Sequence, residues 1–185
     1  MSIELEIIEL PQGELDRYAR IPIAFEVASI FDVCEGLADN NLLSERVVQP
    51  PYVKDYDSLE GASPSSWPSL FSGFDWQMFG AKVNDELIGG ALAFIKARDA
   101  DRVTVLHDLR VSFDARRRGV GKNLFSAVES WAKANGCSAL EVETQNINVA
   151  ACRFYESQRC KLIEVNRGAY PDLPHEIQLL WRKPL

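Results

Sequence analysis

Residues 112–125 read SFDARRRGVGKNLF. Three consecutive arginines precede Gly-Val-Gly, and an apolar-periodic run follows at once. Upstream, VTVLHDLRVSF (103–113) has the make-up of a long strand. Downstream, Leu124, Val128, Trp131 and Ala132 recur at helical spacing, and Gly136 supplies a stop. A loop between strand and helix offers backbone N–H groups at a helix N-terminus, which is an anion site. Glycines at 119 and 121 tolerate positive φ and let a phosphate approach the backbone. Neither familiar nucleotide loop fits. A P-loop needs glycine where Arg116 stands and Ser or Thr where Asn123 follows Lys122, and the dinucleotide fingerprint needs glycine where Leu124 stands.

Outward from this loop the chain reads as alternating elements. SALEVET (138–144) is a strand, and Asn148 is a good N-cap for the short helix VAACRFYESQ. KLIEVNRGAY and EIQLLWRK close the chain as two strands joined by PDLPH. Before the loop, WQMFGAKV and ELIGGALAFI flank Asn84 and Asp85, which predicts a β-hairpin. Residues 3–10, IELEIIEL, read as an opening strand. Residues 14–72 are less clear: IAFEVASIFDV fits strand or helix, and QPPYVKDYDSLEGASPSSWPSLF fits loop or short helical turns. A long irregular segment in a compact domain serves either acceptor recognition or mere connection. From residue 103 the order is strand, helix, strand, helix, strand, strand, a βαβ unit within a mixed sheet and an α/β layout.

The 185 residues suit one domain with a full core. A formal net charge of -7 argues against a general binder of nucleic acid, whose affinity rests on an excess of Lys and Arg. The four cysteines form no C-x-x-C pair and only two histidines are present, so no metal site is expected. The start MSIELEIIEL has no basic-then-apolar leader pattern, and no apolar run approaches the roughly 18 residues of a membrane helix. The expectation is a soluble, cytoplasmic chain with reduced thiols.

Arg-x-x-Gly-x-Gly, met here by Arg116, Gly119 and Gly121, resembles the pyrophosphate loop of the GNAT superfamily of N-acetyltransferases. The segment LHDLRVSFDARRRGVG looks like that family's strand and loop. NINVAACRFYESQRC looks like its second signature, Asn-x-x-Ala-x-x-x-Tyr, met by Asn148, Ala151 and Tyr155. The resemblance implies a single domain over 1–185, with a variable acceptor-side region (1–75) and an acetyl-CoA-binding core (76–185). It also implies a mixed, mostly antiparallel central sheet with flanking helices, and members of the family are often homodimers. Where the family often has Gly-Phe after the Tyr, Arg159 and Cys160 stand, so an altered turn is expected there.

The resemblance further implies roles. Backbone amides of Arg116, Arg117, Arg118, Gly119, Val120, Gly121 and Lys122 hold the diphosphate, helped by arginine or lysine charge. The backbone of Leu109, Arg110 and Val111 pairs with the pantetheine arm and donates to the thioester carbonyl. Tyr155 is the candidate acid for the leaving thiolate, since a phenol of pKa about 10 is protonated at neutral pH. An amine of pKa near 10.4 must lose a proton to attack, and His107, Asp108 and Glu143 are candidate bases. Strand alternation puts His107 on the face of Leu109 and Val111 and Asp108 on the other, unless the bulge usual in the family resets it. Each of these residues also has a plain structural reading, as a packed tyrosine, a core histidine, a cap or a surface charge.

LEVETQNINVAACRFYES, PPYVKDYD and RGAYPDLPHEIQLLWRK are similar to streptothricin acetyltransferases, which implies a cationic small-molecule amine as acceptor. Glu26, Asp32, Glu35, Asp55 and Asp57 either steer such an acceptor or are ordinary surface charge. Acetylation of a protein, peptide or polyamine and a catalytically idle CoA-binding module are the competing readings.

Overall fold

A computed structural model describes residues 4–34, 43–59, 63–98 and 101–185. In chain order it contains β1 (Glu6–Leu10), α1 (Leu15–Tyr18), β2 (Phe25–Val33), β3 (Leu43–Lys54), α2 (Trp67–Leu70), β4 (Asp75–Val83), β5 (Glu86–Arg98) and β6 (Asp101–Val111). It continues with α3 (Val120–Ala134), β7 (Ala139–Gln145), α4 (Val149–Ser157), β8 (Lys161–Asn166) and β9 (Gln178–Pro184). This is a mixed α/β fold with a mostly antiparallel sheet. Two compact units are built from interleaved segments: one from 1–23, 55–141 and 184–185, the other from 24–54 and 142–183.

In the first unit β1, β4, β5 and β6 form an antiparallel run in that order. The hairpin between β4 and β5 turns at Asn84 (φ 49) and Asp85 (φ 63), both left-handed, as a two-residue turn matching strand twist requires. Helix α3 buries Val120, Leu124, Phe125, Val128 and Ala132 along one stripe, and Gly136 (φ 70) follows its end. A second cluster gathers Tyr18, Trp67, Phe71, Met78 and Leu92, all nearly inaccessible. Burial of each such side chain stabilises the fold by about 1.5–3 kcal/mol. Gly90 is required here by space: a Cβ on it would lie 2.3 Å from Cε2 of Tyr18, so the phenol ring rests on bare backbone of β5.

The second unit contains the antiparallel hairpin β2–β3 and the antiparallel pair β8–β9, with α4 between β7 and β8 in the chain. Phe25–Val33 is therefore strand, where the sequence fits strand or helix equally. QPPYVK is also strand rather than loop, within β3. The reason lies in the register: Val27 pairs with Tyr52 but Ser29 with Val47, so Pro50 and Pro51 fall in the irregularity, where a missing N–H breaks no ladder bond. Only the stretch after it, Pro64–Leu70, forms the expected short helical turns.

Candidate functional site

The ladder between β5 and β6 pairs Ala93 with Leu106 and then Leu92 with Asp108, leaving His107 as an extra residue. This bulge resets the alternation. His107 and Asp108 consequently share a face, contrary to simple alternation, which puts His107 with Leu109 and Val111. The His107 ring meets Trp67 at 5.6 Å and Phe71 at 4.9 Å, both edge-on, while Asp108 accepts from Tyr18, whose ring also meets Trp67 edge-on at 5.3 Å. Val111 pairs with Gly89 on the opposite face, where a Cβ on Gly89 would touch Val120 and Leu124 of α3.

Asp108 does not have the environment of a base. Its Oδ1 accepts from Tyr18 Oη at 2.5 Å and from Arg110 Nε at 2.9 Å, and its Oδ2 accepts from Arg110 Nη2 at 2.8 Å. Arg110 also donates through Nη1 to Asp57 Oδ2 at 2.7 Å, through Nη2 to Asp57 Oδ1 at 3.2 Å, and to the Ile21 carbonyl at 3.1 Å. Burial opposes the guanidinium charge, but the bonds to Asp108 and Asp57 outweigh it and raise the arginine's pKa. Burial, and then the Asp108 charge, holds Tyr18 protonated well above its ordinary range. Both carboxylate oxygens of Asp108 are thus taken up by fixed donors of Tyr18 and Arg110. The backbone of Leu109, Arg110 and Val111 lies in β6 directly after the bulge.

Beyond β6 the chain turns through a 3₁₀ segment, Phe113–Ala115, into the arginine–glycine loop. Arg117 (φ 60) and Gly119 (φ 84) are both left-handed, two residues apart, a conformation that gathers successive N–H groups on one concave side. Gly119 is the N-cap of α3, and the first bond into the helix is from Asn123 N–H to the Gly119 carbonyl at 3.1 Å. The N–H groups of Val120, Gly121 and Lys122 therefore have no acceptor inside the helix, and they carry the positive end of a 15-residue helix. Arg117, Arg118 and Lys122 are exposed beside them. A diphosphate fits this chemistry.

Arg116 departs from the expected part. Its amide is used inside the turn, donating to Ser112 and Phe113, and its Nε donates to the Val111 carbonyl at 2.9 Å. The guanidinium lies 4.2 Å over the Phe113 ring, and burial lowers its pKa. Arg116 thus ties the loop to the end of β6 and leaves the surface charge to its neighbours.

In the second unit, Asn148 caps α4 as expected, its Oδ1 accepting from Ala151 N–H at 3.1 Å. Helix α4 turns Cys152 and Tyr155 inward, and Tyr155 is 5% exposed. Thr144 of β7 touches Cys152 (Oγ1 to Sγ, 3.3 Å) and accepts from Trp181 Nε1 at 2.8 Å. Burial pushes the Cys152 thiol up to about 11. Strand alternation then puts Glu143 on the face of β7 away from α4, so Tyr155 and Glu143 are not brought together there. Glu143 is exposed. Its Oε1 accepts from Tyr170 Oη at 2.5 Å and its Oε2 from Gln178 Nε2 at 2.6 Å, while Gln145 Nε2 donates to Tyr170 Oη at 3.1 Å. Burial and the Glu143 charge raise the Tyr170 pKa. At the turn after α4 Arg159 is itself left-handed (φ 67), a backbone conformation that favours glycine, and Cys160 N–H bonds the Tyr155 carbonyl at 3.0 Å.

Sequence reasoning missed Tyr18, Tyr170, Gln178 and the Arg110 side chain; Tyr18 meets Asp108 across 90 residues, Arg110 meets Asp57 across 53, and Tyr170 and Gln178 meet Glu143 across 27 and 35. Of the acidic residues in the first third, Asp57 is held by Arg110. Asp32 is bound by Arg46 at 2.8 Å, whose hydrogen bond lowers its pKa. Asp55 accepts from Asp57 N–H within a turn, Glu26 is an exposed residue of β2, and Glu35 lies outside the described residues. Among the described residues no cluster of His, Cys, Asp or Glu is placed to hold a metal, and no helix is long and apolar enough to cross a membrane.

The strand–loop–helix geometry agrees with comparison to known proteins. The model of the acetyltransferase (GNAT) family matches residues 47–159, more than half of the chain. The chain belongs to this acetyltransferase family. Among GNAT relatives, streptothricin acetyltransferase A of Bacillus subtilis (strain 168) is 35% identical over 79 residues, covering 42% of this chain and 46% of that protein. That match thus spans less than half the relative's length. Streptothricin acetyltransferase of Escherichia coli is 29% identical over 161 residues, covering 85% of this chain and 83% of that protein. Among solved GNAT structures, a candidate streptothricin acetyltransferase from Bacillus anthracis str. Ames, in complex with acetyl coenzyme A, superimposes with a TM-score of 0.78. It is 25% identical, with 98% of this chain and 100% of that one covered.

Proposed function

We propose that this GNAT acetyltransferase moves the acetyl group of acetyl-CoA to a primary amine of a cationic small molecule of the streptothricin kind. The observation that carries the donor half is the loop Arg117–Lys122, with two left-handed residues opening a 15-residue helix and three exposed cations at its rim. The acceptor half rests on the streptothricin-directed relatives. Bound acetyl-CoA supplies an activated acyl thioester. The amides of Gly119, Val120, Gly121 and Lys122 hold its diphosphate, with Arg117 and Arg118 adding charge. Backbone groups of Leu109, Arg110 and Val111 align the pantetheine arm and polarise the carbonyl. Asn148 and Ala151 set the start of α4, and Tyr155 gives its proton to the departing thiolate. The proton of the acceptor amine goes to an exposed group, His107 or Glu143, since Asp108 is committed to Arg110 and Tyr18. Dependence on acetyl-CoA, with no described helix long and apolar enough to cross a membrane, supports a place in solution in the cytoplasm.

The experiment is acetyl-CoA turnover with a panel of streptothricin, simple diamines, polyamines and peptides. Turnover with streptothricin and small cationic amines is expected. Turnover with peptides alone would reject the small-molecule acceptor.

A further inference from the structure

Glu143 and Asp108, both counted as bases from the sequence, are held by opposite kinds of partner. Asp108 is neutralised by a guanidinium. Glu143 is fixed at both oxygens by neutral donors, the Tyr170 hydroxyl and the Gln178 amide, and no lysine or arginine among the described residues pairs with it. Its negative charge is therefore rigid, exposed and uncompensated. An exposed carboxylate ordinarily loses side-chain entropy when it binds a cation. Here that loss is met in the folded protein, so an arriving cation gains more from the contact.

The elements behind Glu143 are also held in place. Tyr170 lies in the connection between β8 and β9, a segment fixed at three further residues. Arg167 donates to the Val33 carbonyl at 2.9 Å, Lys54 pairs with Glu176 at 2.5 Å, and Asn146 exchanges two bonds with Ile177, accepting at Oδ1 and donating its own N–H. Gln178 opens β9 directly after this clamp. The donors to Glu143 thus belong to the framework rather than to a free loop.

We infer that Glu143, oriented by Tyr170 and Gln178, is the subsite that receives an ammonium group of the acceptor, with Tyr170 and Gln178 as positioning residues. The inference rests on the proposed amine acetylation for its biological use. Its chemistry, an ion pair between a primary ammonium and a fixed carboxylate, stands apart from turnover. A carboxylate with two neutral donors keeps lone pairs for N⁺–H donors, and each charge-assisted bond of this type is about twice as strong as a neutral one.

The test is equilibrium binding of 1,5-diaminopentane, followed by calorimetry, to the full chain, to Glu143→Gln and to Tyr170→Phe, with 1-pentanol as the uncharged control. Wild type is expected to prefer the diamine over the alcohol. Glu143→Gln should weaken the diamine about tenfold or more, and Tyr170→Phe roughly three- to tenfold, with alcohol binding unchanged in both. Gln178→Leu, which leaves Tyr170 in place, should behave as Tyr170→Phe and covers the case in which that variant is unstable. In turnover, Tyr170→Phe should raise the amine KM while leaving the acetyl-CoA KM close to wild type, a split that general loosening would not give. Equal diamine affinity in wild type and Glu143→Gln overturns the subsite. Loss in Glu143→Gln with none in Tyr170→Phe or Gln178→Leu overturns the positioning role. Diamine binding that depends on Glu143, without acetyl transfer to any amine, would reject the acetyltransferase reading and leave the ammonium subsite standing.

Discussion

Replacing Asp108 by Asn should be among the most costly single-atom changes in the first unit. The side chains of Arg110 and Asp108 are 1% and 5% exposed, and their pair is bidentate. Removing the charge of one partner in a buried pair leaves the other uncompensated, a loss of about 3–5 kcal/mol. Asp57 remains on the guanidinium and offsets part of it, which puts the expectation near 3 kcal/mol. Asp57→Asn is the internal control. Asp57 also binds Arg110 at two atoms, but its side chain is 26% exposed, so solvent screening reduces its share to about 1 kcal/mol. For a protein of this size 1 kcal/mol moves Tm by roughly 2–4 °C, so Asp108→Asn should lower Tm by roughly 6–12 °C and Asp57→Asn by roughly 2–4 °C. Urea unfolding followed by tryptophan fluorescence gives the free energies, provided the slope is unchanged. Equal losses in the two variants, or a loss below about 1 kcal/mol in Asp108→Asn, would refute the argument that burial makes this pair a structural lock.

Gly119→Ala meets nothing closer than 3.9 Å but must hold φ 84, so it should cost about 1 kcal/mol in stability. Gly119→Glu should remove acetyl-CoA binding measured by calorimetry, and unaltered affinity would reject the loop assignment. Arg159→Gly should raise stability by a few tenths to about 1 kcal/mol in thermal unfolding, because a left-handed non-glycine residue is relieved. Tyr155→Phe should lower kcat by roughly 10²-fold with the affinity for CoA unchanged, and undiminished turnover would remove Tyr155 from the acid role.

The arginine–glycine loop, the cap of α4 and the β4–β5 turn were legible because their signals are local. Gly119 needs its left-handed backbone whatever the rest of the chain does, Asn148 caps the helix that begins beside it, and Asn84-Asp85 turns its own hairpin. The bulge at His107 was not legible from the residues. Nothing in VTVLHDLRV marks one of its positions as extra, and only pairing with β5 reveals it. The same holds for the Arg110 side chain, whose partners Asp57 and Asp108 lie 53 and 2 residues away. Tyr170 and Gln178 became visible only when β9 and the preceding connection were seen beside β7. Arg159 shows the converse: the departure from the family's glycine predicted an altered turn, yet the backbone took the glycine-like conformation at a modest cost in strain.

The central claim is acetyl transfer from acetyl-CoA to an amine. Its most direct test mixes the purified chain with acetyl-CoA and a primary diamine, and follows free thiol and acetylated amine together, by a colour reagent and by mass spectrometry. Equal amounts of thiol and acetylamine, in catalytic excess over protein and absent without the diamine, are predicted. Tight binding of CoA with no amine-dependent thiol release from any amine would contradict it.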